Sequence, residues 1–259
     1  MEYRGIFDTH AHYDDAQFDA SRAAVIETQR ACGIAGVVNC ASDEKSAAAC
    51  VALAQTYGFF YAGVGVHPEE AGKLEAGWLE RIAALARREK KVVAIAEIGL
   101  DYHWPDPPRE VQKPVFEAQL ALANELSLPV EIHDRDAHGD VFELCDKYRP
   151  RGCWHRYSGS PEMAKEIVRR GMLLGIGGAV TYRNSKKEIA TVAAIPLESL
   201  LLETDCPYQA PQPFRGELCT SDMLWTVAER IAEIKGVTPQ QVVDVTRGNA
   251  LRLFGLPPL

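Results

Sequence analysis

The feature that most constrains this chain is a regular alternation of short apolar runs with longer amphipathic segments. Runs rich in Val, Ile and Gly occur at 6–12, 34–41, 61–67, 92–100, 128–134, 152–158, 172–180 and 200–206. Helical spacing fills the gaps at 19–32, 44–57, 76–89, 109–127, 138–148, 161–170 and 185–194, and two more helical segments follow at 220–235 and 239–254. Strands alternating with helices imply parallel strands joined by crossover helices. Eight such units predict an α/β fold, a (β/α)8 TIM barrel, with residues 1–259 as a single domain. The 259-residue length suits that fold, which typically takes about 250 residues. A doubly wound open sheet would need a Gly-rich phosphate loop after its first strand, and "THAHYDD" supplies none. Thr238 and Pro239 read as an N-cap and first helical turn, and Gly255 as a helix stop.

Charge and cysteine usage exclude several functions. The formal net charge is −8, which disfavours non-specific adhesion to nucleic acid or anionic membrane, so any site for a polyanion must be local. The seven cysteines are odd in number and form no C-x-x-C pair, which argues against a disulfide framework or zinc finger. Reduced thiols, no signal-peptide pattern in "MEYRGIFDTH", and no apolar run near the ~18 residues that span a membrane predict a cytoplasmic protein. No membrane and no obligate protein partner is expected.

Polar residues gather where a barrel places its chemistry, at the C-terminal ends of the strands. The first run ends in "FDTHAH". Residues two apart on a strand face the same way, so Asp8, His10 and His12 line one side. That stretch alone fits an exposed polar edge strand as well as a pair of metal ligands. The other strand ends carry His67, Glu97 with Asp101, His133 with Arg135, His155, and Glu203 with Asp205. Five of the seven histidines therefore fall at such ends. Glu97 lies inside an apolar run, where an inward carboxylate is costly unless it meets a cation. Four imidazoles and two carboxylates exceed what one catalytic metal needs. Two divalent ions ~3.5–4 Å apart, sharing a carboxylate, account for the number. Mixed nitrogen and oxygen donors suit Zn, Mn or similar ions; Mg usually prefers oxygen but stays among the candidates.

The stretches "FDTHAHYDD", "GVGVHPEE", "IAEIGLDYH", "LPVEIHDRDA", "HRYSGS", "LLLETDCPY" and "NALRLFGL" resemble the TatD-type metal-dependent hydrolases, amidohydrolase-like barrels associated with DNA hydrolysis. The resemblance runs in order from residue 7 to residue 256. It implies that His10, His12 and Asp205 hold one metal, that His133 and His155 hold the other, and that Glu97 bridges them. It also implies a deoxyribonuclease, exonuclease-like, acting on single-stranded DNA through water activated by the metals. Asp205 would transfer the proton, with Glu97 beside it in the catalytic set. Arg135 would contact phosphate, its other reading being a surface salt bridge with Asp134 or Asp136, and His67, His103 and Tyr157 complete the expected substrate contacts. His67 fits equally a cap on the loop before Pro68. Trp104 reads as a base-stacking surface or as packing on its own prolines, and His138 as a helix-start residue. The chain departs from the family at "HRYSG", where Arg156 stands for a small residue, and at "RGELCTSDM", which lacks an Asn-Glu-Pro element. Alternating with His155, Arg156 is expected to point away from the metals. The alternative function is hydrolysis of a carboxylic ester, lactone or amide by the same metals on the same barrel.

Overall fold

A computed structural model describes residues 4–258. In chain order the elements are β1 (Ile6–Ala11), α1 (Arg22–Ala31), β2 (Ile34–Cys40), α2 (Glu44–Thr56), β3 (Phe60–Gly63), α3 (Trp78–Arg88), β4 (Val92–Asp101), α4 (Arg109–Leu126), β5 (Val130–Arg135), α5 (His138–Tyr148), β6 (Gly152–Trp154), α6 (Pro161–Arg169), β7 (Leu173–Ile176), α7 (Lys186–Ala194), β8 (Leu200–Leu202), α8 (Leu224–Lys235) and α9 (Pro239–Phe254). The strands follow one another in sequence order in an eight-stranded sheet, the (β/α)8 barrel expected from the alternation. No helix among the described residues is long and apolar enough to cross a membrane. All seven cysteines are free thiols.

Two compact units divide the chain. The first gathers residues 4–39 and 156–258. In it β1 pairs in parallel with β2, and β7 with β8. A parallel bridge from Ala11 to Cys206 joins β1 to the chain just past β8. Backbone bonds from His12 N to Cys206 O (2.8 Å) and from Asp205 N to His10 O (2.9 Å) extend that seam. Every residue of β1 is buried, as in strands covered on both faces. Helix α9 covers this unit, with Phe254 stacked on Phe7 at 6.2 Å between ring centroids. The Asn249 amide donates to Leu197 O and Leu200 O, tying α9 to the start of β8. Thr238 and Gln241 form a reciprocal capping box at the start of α9, and Gly255 ends it with φ 66°, as the sequence suggests.

The second unit, Cys40–His155, carries β3, β4, β5 and β6 in parallel register. Gly99 in β4 lies opposite His133 in β5. Its φ is 150°, and a Cβ there would sit 1.9 Å from the His133 carbonyl oxygen, so only glycine lets β5 approach. On α4, Gln112 and Gln119 stand seven residues apart and share a face. Gln119 accepts from Val66 N (2.7 Å) and donates to Val66 O (3.0 Å). Gln112 does the same for Asp101 N (2.8 Å) and O (2.7 Å). One helix therefore holds the backbone beside His67 and at Asp101.

Four strands are shorter than the apolar runs that predict them. β3 stops at Gly63, β6 at Trp154, β7 at Ile176 and β8 at Leu202. Hydropathy follows burial, which continues through Val64, Val66 and Thr204; a strand follows its ladder of hydrogen bonds, which ends sooner. His67, His155, Glu203 and Asp205 thus stand in loops just beyond strand ends, where strand parity no longer sets their direction.

Candidate active site

The first unit brings His10, His12 and Asp205 together, with one ligand atom of each within 4.8 Å of the others. His10 Nε2 and His12 Nε2 lie 3.2 Å apart, a spacing compatible with both binding one ion at ~2.0–2.1 Å. Asp205 Oδ1 is 3.3 Å from His12 Nε2. Asp205 adopts a left-handed backbone, φ 61°, which Asp tolerates better than most residues. The group is braced by Asp8. Its Oδ1 accepts from Thr204 N (3.0 Å) and its Oδ2 from the hydroxyls of Thr204 and Ser221 (2.6 Å each). Burial pushes the Asp8 carboxyl up to about 6, against the hydrogen bonds that favour its charge. Asp8 therefore fastens the "THAH" segment to the "ETDCP" segment. The strand pattern shows which way Asp8 faces but not what it holds.

In the second unit three imidazoles surround one carboxylate oxygen. Glu97 Oε1 lies 2.9 Å from His133 Nδ1, 3.6 Å from His67 Nε2 and 3.7 Å from His155 Nε2. Glu97, His133 and His155 are buried. The other His133 nitrogen, Nε2, lies 2.9 Å from Asp101 Oδ2. Burial works against a charge on this imidazole, but the bonds to Asp101 and Glu97 outweigh it and raise its pKa to about 9. His67 Nδ1 accepts from Glu69 N (3.2 Å), capping the following turn as one of its two readings expects, while Nε2 faces Glu97. This buried set of imidazoles and carboxylates is the mixed nitrogen–oxygen donor set that suits first-row divalent ions. Glu97 accounts for its place in the apolar β4 by meeting cationic or metal-binding partners there.

Of the remaining expected residues, Arg135 and His103 both lie against Trp104. Arg135 ends β5 with a side chain 43% exposed, its Nη1 4.0 Å from Asp101 Oδ2 and its guanidinium 5.7 Å from the Trp104 ring centroid. His103 is exposed, with Nδ1 3.3 Å from Asp136 Oδ2 and its ring edge-on to Trp104. Tyr157 is buried and its hydroxyl donates to Ser160 O at 2.5 Å. His138 pairs with Asp134 at 2.6 Å at the start of α5, as a helix-start residue should. Arg156 does not point away: its Nη1 lies 3.4 Å from Asp205 Oδ2. The parity argument fails there because β6 has already ended and Arg156 takes φ 48°. Asp101 is the clearest residue whose role the sequence reading left unassigned, although "EIGLD" places it on the same side as Glu97.

These geometries agree with the relationships of the chain. Residues 7–255 match the family model described as "TatD related DNase". A Bacillus subtilis protein called "Uncharacterized metal-dependent hydrolase YabD" is 39% identical, over 96% of this chain and 98% of its own. A Cronobacter sakazakii protein named "3'-5' ssDNA/RNA exonuclease TatD" is 34% identical, over 96% and 97%. The crystal structure of the TatD homologue YjjV from Escherichia coli K12 superposes with a TM-score of 0.92 at 32% identity, covering 99% of this chain and all (100%) of that one. With its buried His and carboxylate groups at the strand ends, the chain belongs to the TatD family and is a metal-dependent hydrolase.

Proposed function

We propose that the two ligand groups serve one reaction, the hydrolysis of phosphodiester bonds in single-stranded DNA from a chain end. His10, His12 and Asp205 would hold one divalent ion and His133 and His155 a second, with Glu97 serving both. When bound, the cations polarise the phosphoryl oxygens and make water a strong nucleophile near neutral pH. Asp205 takes the proton from the attacking water and returns it to the departing oxygen. Asp101 keeps the His133 ring oriented through Nε2. His67, with Nδ1 committed to Glu69 N, presents Nε2 as a donor to substrate or to Glu97.

The observation that carries the substrate class is Arg135. A half-exposed guanidinium stands beside the site carboxylate Asp101 and over Trp104, itself 51% exposed. Guanidinium is the side chain best matched to phosphate, and an exposed indole next to it offers a face to an unpaired base. The exonuclease name of the Cronobacter sakazakii relative supports the same reading.

The test is turnover on labelled single-stranded oligonucleotides and on a panel of carboxylic esters, lactones and amides, with and without a chelator. The expected result is shortening of the oligonucleotide from one end, abolished by chelation and restored by divalent metal. Metal-dependent cleavage of an ester or amide with none of the oligonucleotide would overturn the substrate class. Full activity in protein shown metal-free by elemental analysis would overturn the ligand assignment.

A further inference from the structure

We propose that Arg156 and Arg215 form an anion subsite beside Asp205, which takes a substrate phosphate other than the one being cleaved. The proposal rests on the phosphodiester reading above and adds a subsite to it. Arg156 stands where the family resemblance has a small residue, and the fold turns it toward Asp205. Its backbone N–H donates to Glu203 Oε1 at 2.5 Å. Its guanidinium reaches Asp205, with Nη1 3.4 Å from Oδ2. Gln209, with its amide turned so that the oxygen faces Arg156, accepts from Nε and Nη2.

Arg156, Asp205 and Gln209 have φ of 48°, 61° and 54°. They are three of the six non-glycine residues in positive φ among the described residues. Such conformations are costly for L-residues and gather where the surroundings impose them, often at functional sites.

The group has donors to spare. A guanidinium carries five N–H donors; Gln209 takes two, and the 3.4 Å approach to Asp205 is an ion pair rather than a short hydrogen bond. The Arg156 side chain remains 45% exposed. Arg215, exposed on the loop after β8, places its guanidinium 4.6 Å from the Tyr182 ring centroid. Burial raises the pKa of the Tyr182 hydroxyl, and the positive charges of Arg215 and of Arg156 both act against that rise. The Tyr182 hydroxyl donates to Ala210 O (3.1 Å), the neighbour of the Gln209 that accepts from Arg156, so one short segment links the two guanidiniums beside the carboxylates of Asp205 and Glu203. In a chain of net charge −8 such a concentration of positive charge is local. The planar guanidinium forks match the oxygens of a phosphate and can bind it through two parallel N–H donors.

The experiment is equilibrium binding of a fluorescent single-stranded oligonucleotide in chelator, so that nothing is cleaved, over a range of salt. Arg156→Ala and Arg215→Ala are each expected to weaken binding about tenfold at low salt. Each should flatten the dependence of log Kd on log salt by roughly 0.7, one phosphate contact on a single strand. Arg156→Lys should keep the slope and lose part of the affinity, because the charge stays and the fork goes. If Arg156→Ala fails to fold, Arg215→Ala, an exposed loop change, carries the test. Wild-type affinity and slope in the folded variants would overturn the subsite. If the wild type binds no oligonucleotide, the DNA reading falls instead. The subsite is then read by calorimetric titration of inorganic phosphate: weaker binding in Arg215→Ala than in wild type upholds it, and equal or absent binding overturns it.

Discussion

Replacing Asp101 by asparagine tests whether the site is organised as described. Asp101 is 1% exposed and its Oδ2 lies 2.9 Å from His133 Nε2. A hydrogen bond to a charged group is worth roughly 1.5–3 kcal/mol, and the burial of Asp101 leaves bulk water little access to replace it. In the metal-loaded protein that bond orients the His133 ring and makes Nδ1, which faces Glu97, a better donor. Loss of such a supporting carboxylate typically lowers metal affinity by about 10–100-fold, or about 1.4–2.7 kcal/mol, in agreement with the hydrogen-bond figure. The fold should survive, because the amide retains the carboxylate's shape and an acceptor for His103 N, and Gln112 still holds the Asp101 backbone. The assay is competition of the metal-free protein with a coloured chelator for zinc, fitted to two sites. Asp101→Asn should weaken the site served by His133 by tenfold to a hundredfold and leave the site of His10, His12 and Asp205 unchanged. Glu97→Ala should weaken both. Wild-type affinity at both sites in Asp101→Asn, or equal weakening of the two, would refute the reasoning.

Three further outcomes follow from the same geometry. His133 in the metal-free protein is held charged to about 9, above the ordinary 6.5; a raised base stabilises fully below its unfolded pKa and loses that stabilisation as pH rises. Melting of the chelated protein should therefore weaken by about 3 kcal/mol between pH 6.5 and 9. His133→Asn should flatten the profile up to the range where the buried thiols of Cys206 and Cys219, also raised by burial, begin to count; an unchanged slope in that variant would rule His133 out as its source. Asp205→Asn should lower single-turnover cleavage at least about a hundredfold with little change in oligonucleotide affinity, and cutting at the wild-type rate would remove Asp205 from the proton-transfer role. Gln119→Leu leaves the buried N–H and carbonyl of Val66 without their partner, so urea unfolding should show a loss of about 3 kcal/mol; a loss below about 0.5 kcal/mol would mean that the loop does not depend on this clamp.

Much of this protein is written in local sequence. The alternation of apolar runs and helical segments is a property of neighbours, and the helices begin and end close to where Thr238, Pro239 and Gly255 mark them. The candidate ligands could be picked out for a related reason. Barrel chemistry sits at strand ends, histidines are few, and Asp8 with His10 in β1 and Glu97 with Asp101 in β4 keep the strand period. What stayed hidden depends on distance along the chain and on where hydrogen-bonded ladders stop. Asp101 meets His133 across 32 residues, Gln119 meets Val66 across 53, and Asp8 meets Thr204 across 196. No local pattern specifies such partners. Arg156 shows the second limit: β6 ends at Trp154, and a left-handed residue follows. From there the backbone dihedral, not the alternation of the strand, decides which way the guanidinium points. Sequence by itself determined the elements and the inventory of donors; tertiary structure decided which donors meet, because only folding sets where each ladder ends and which distant side chain fills the space beyond it.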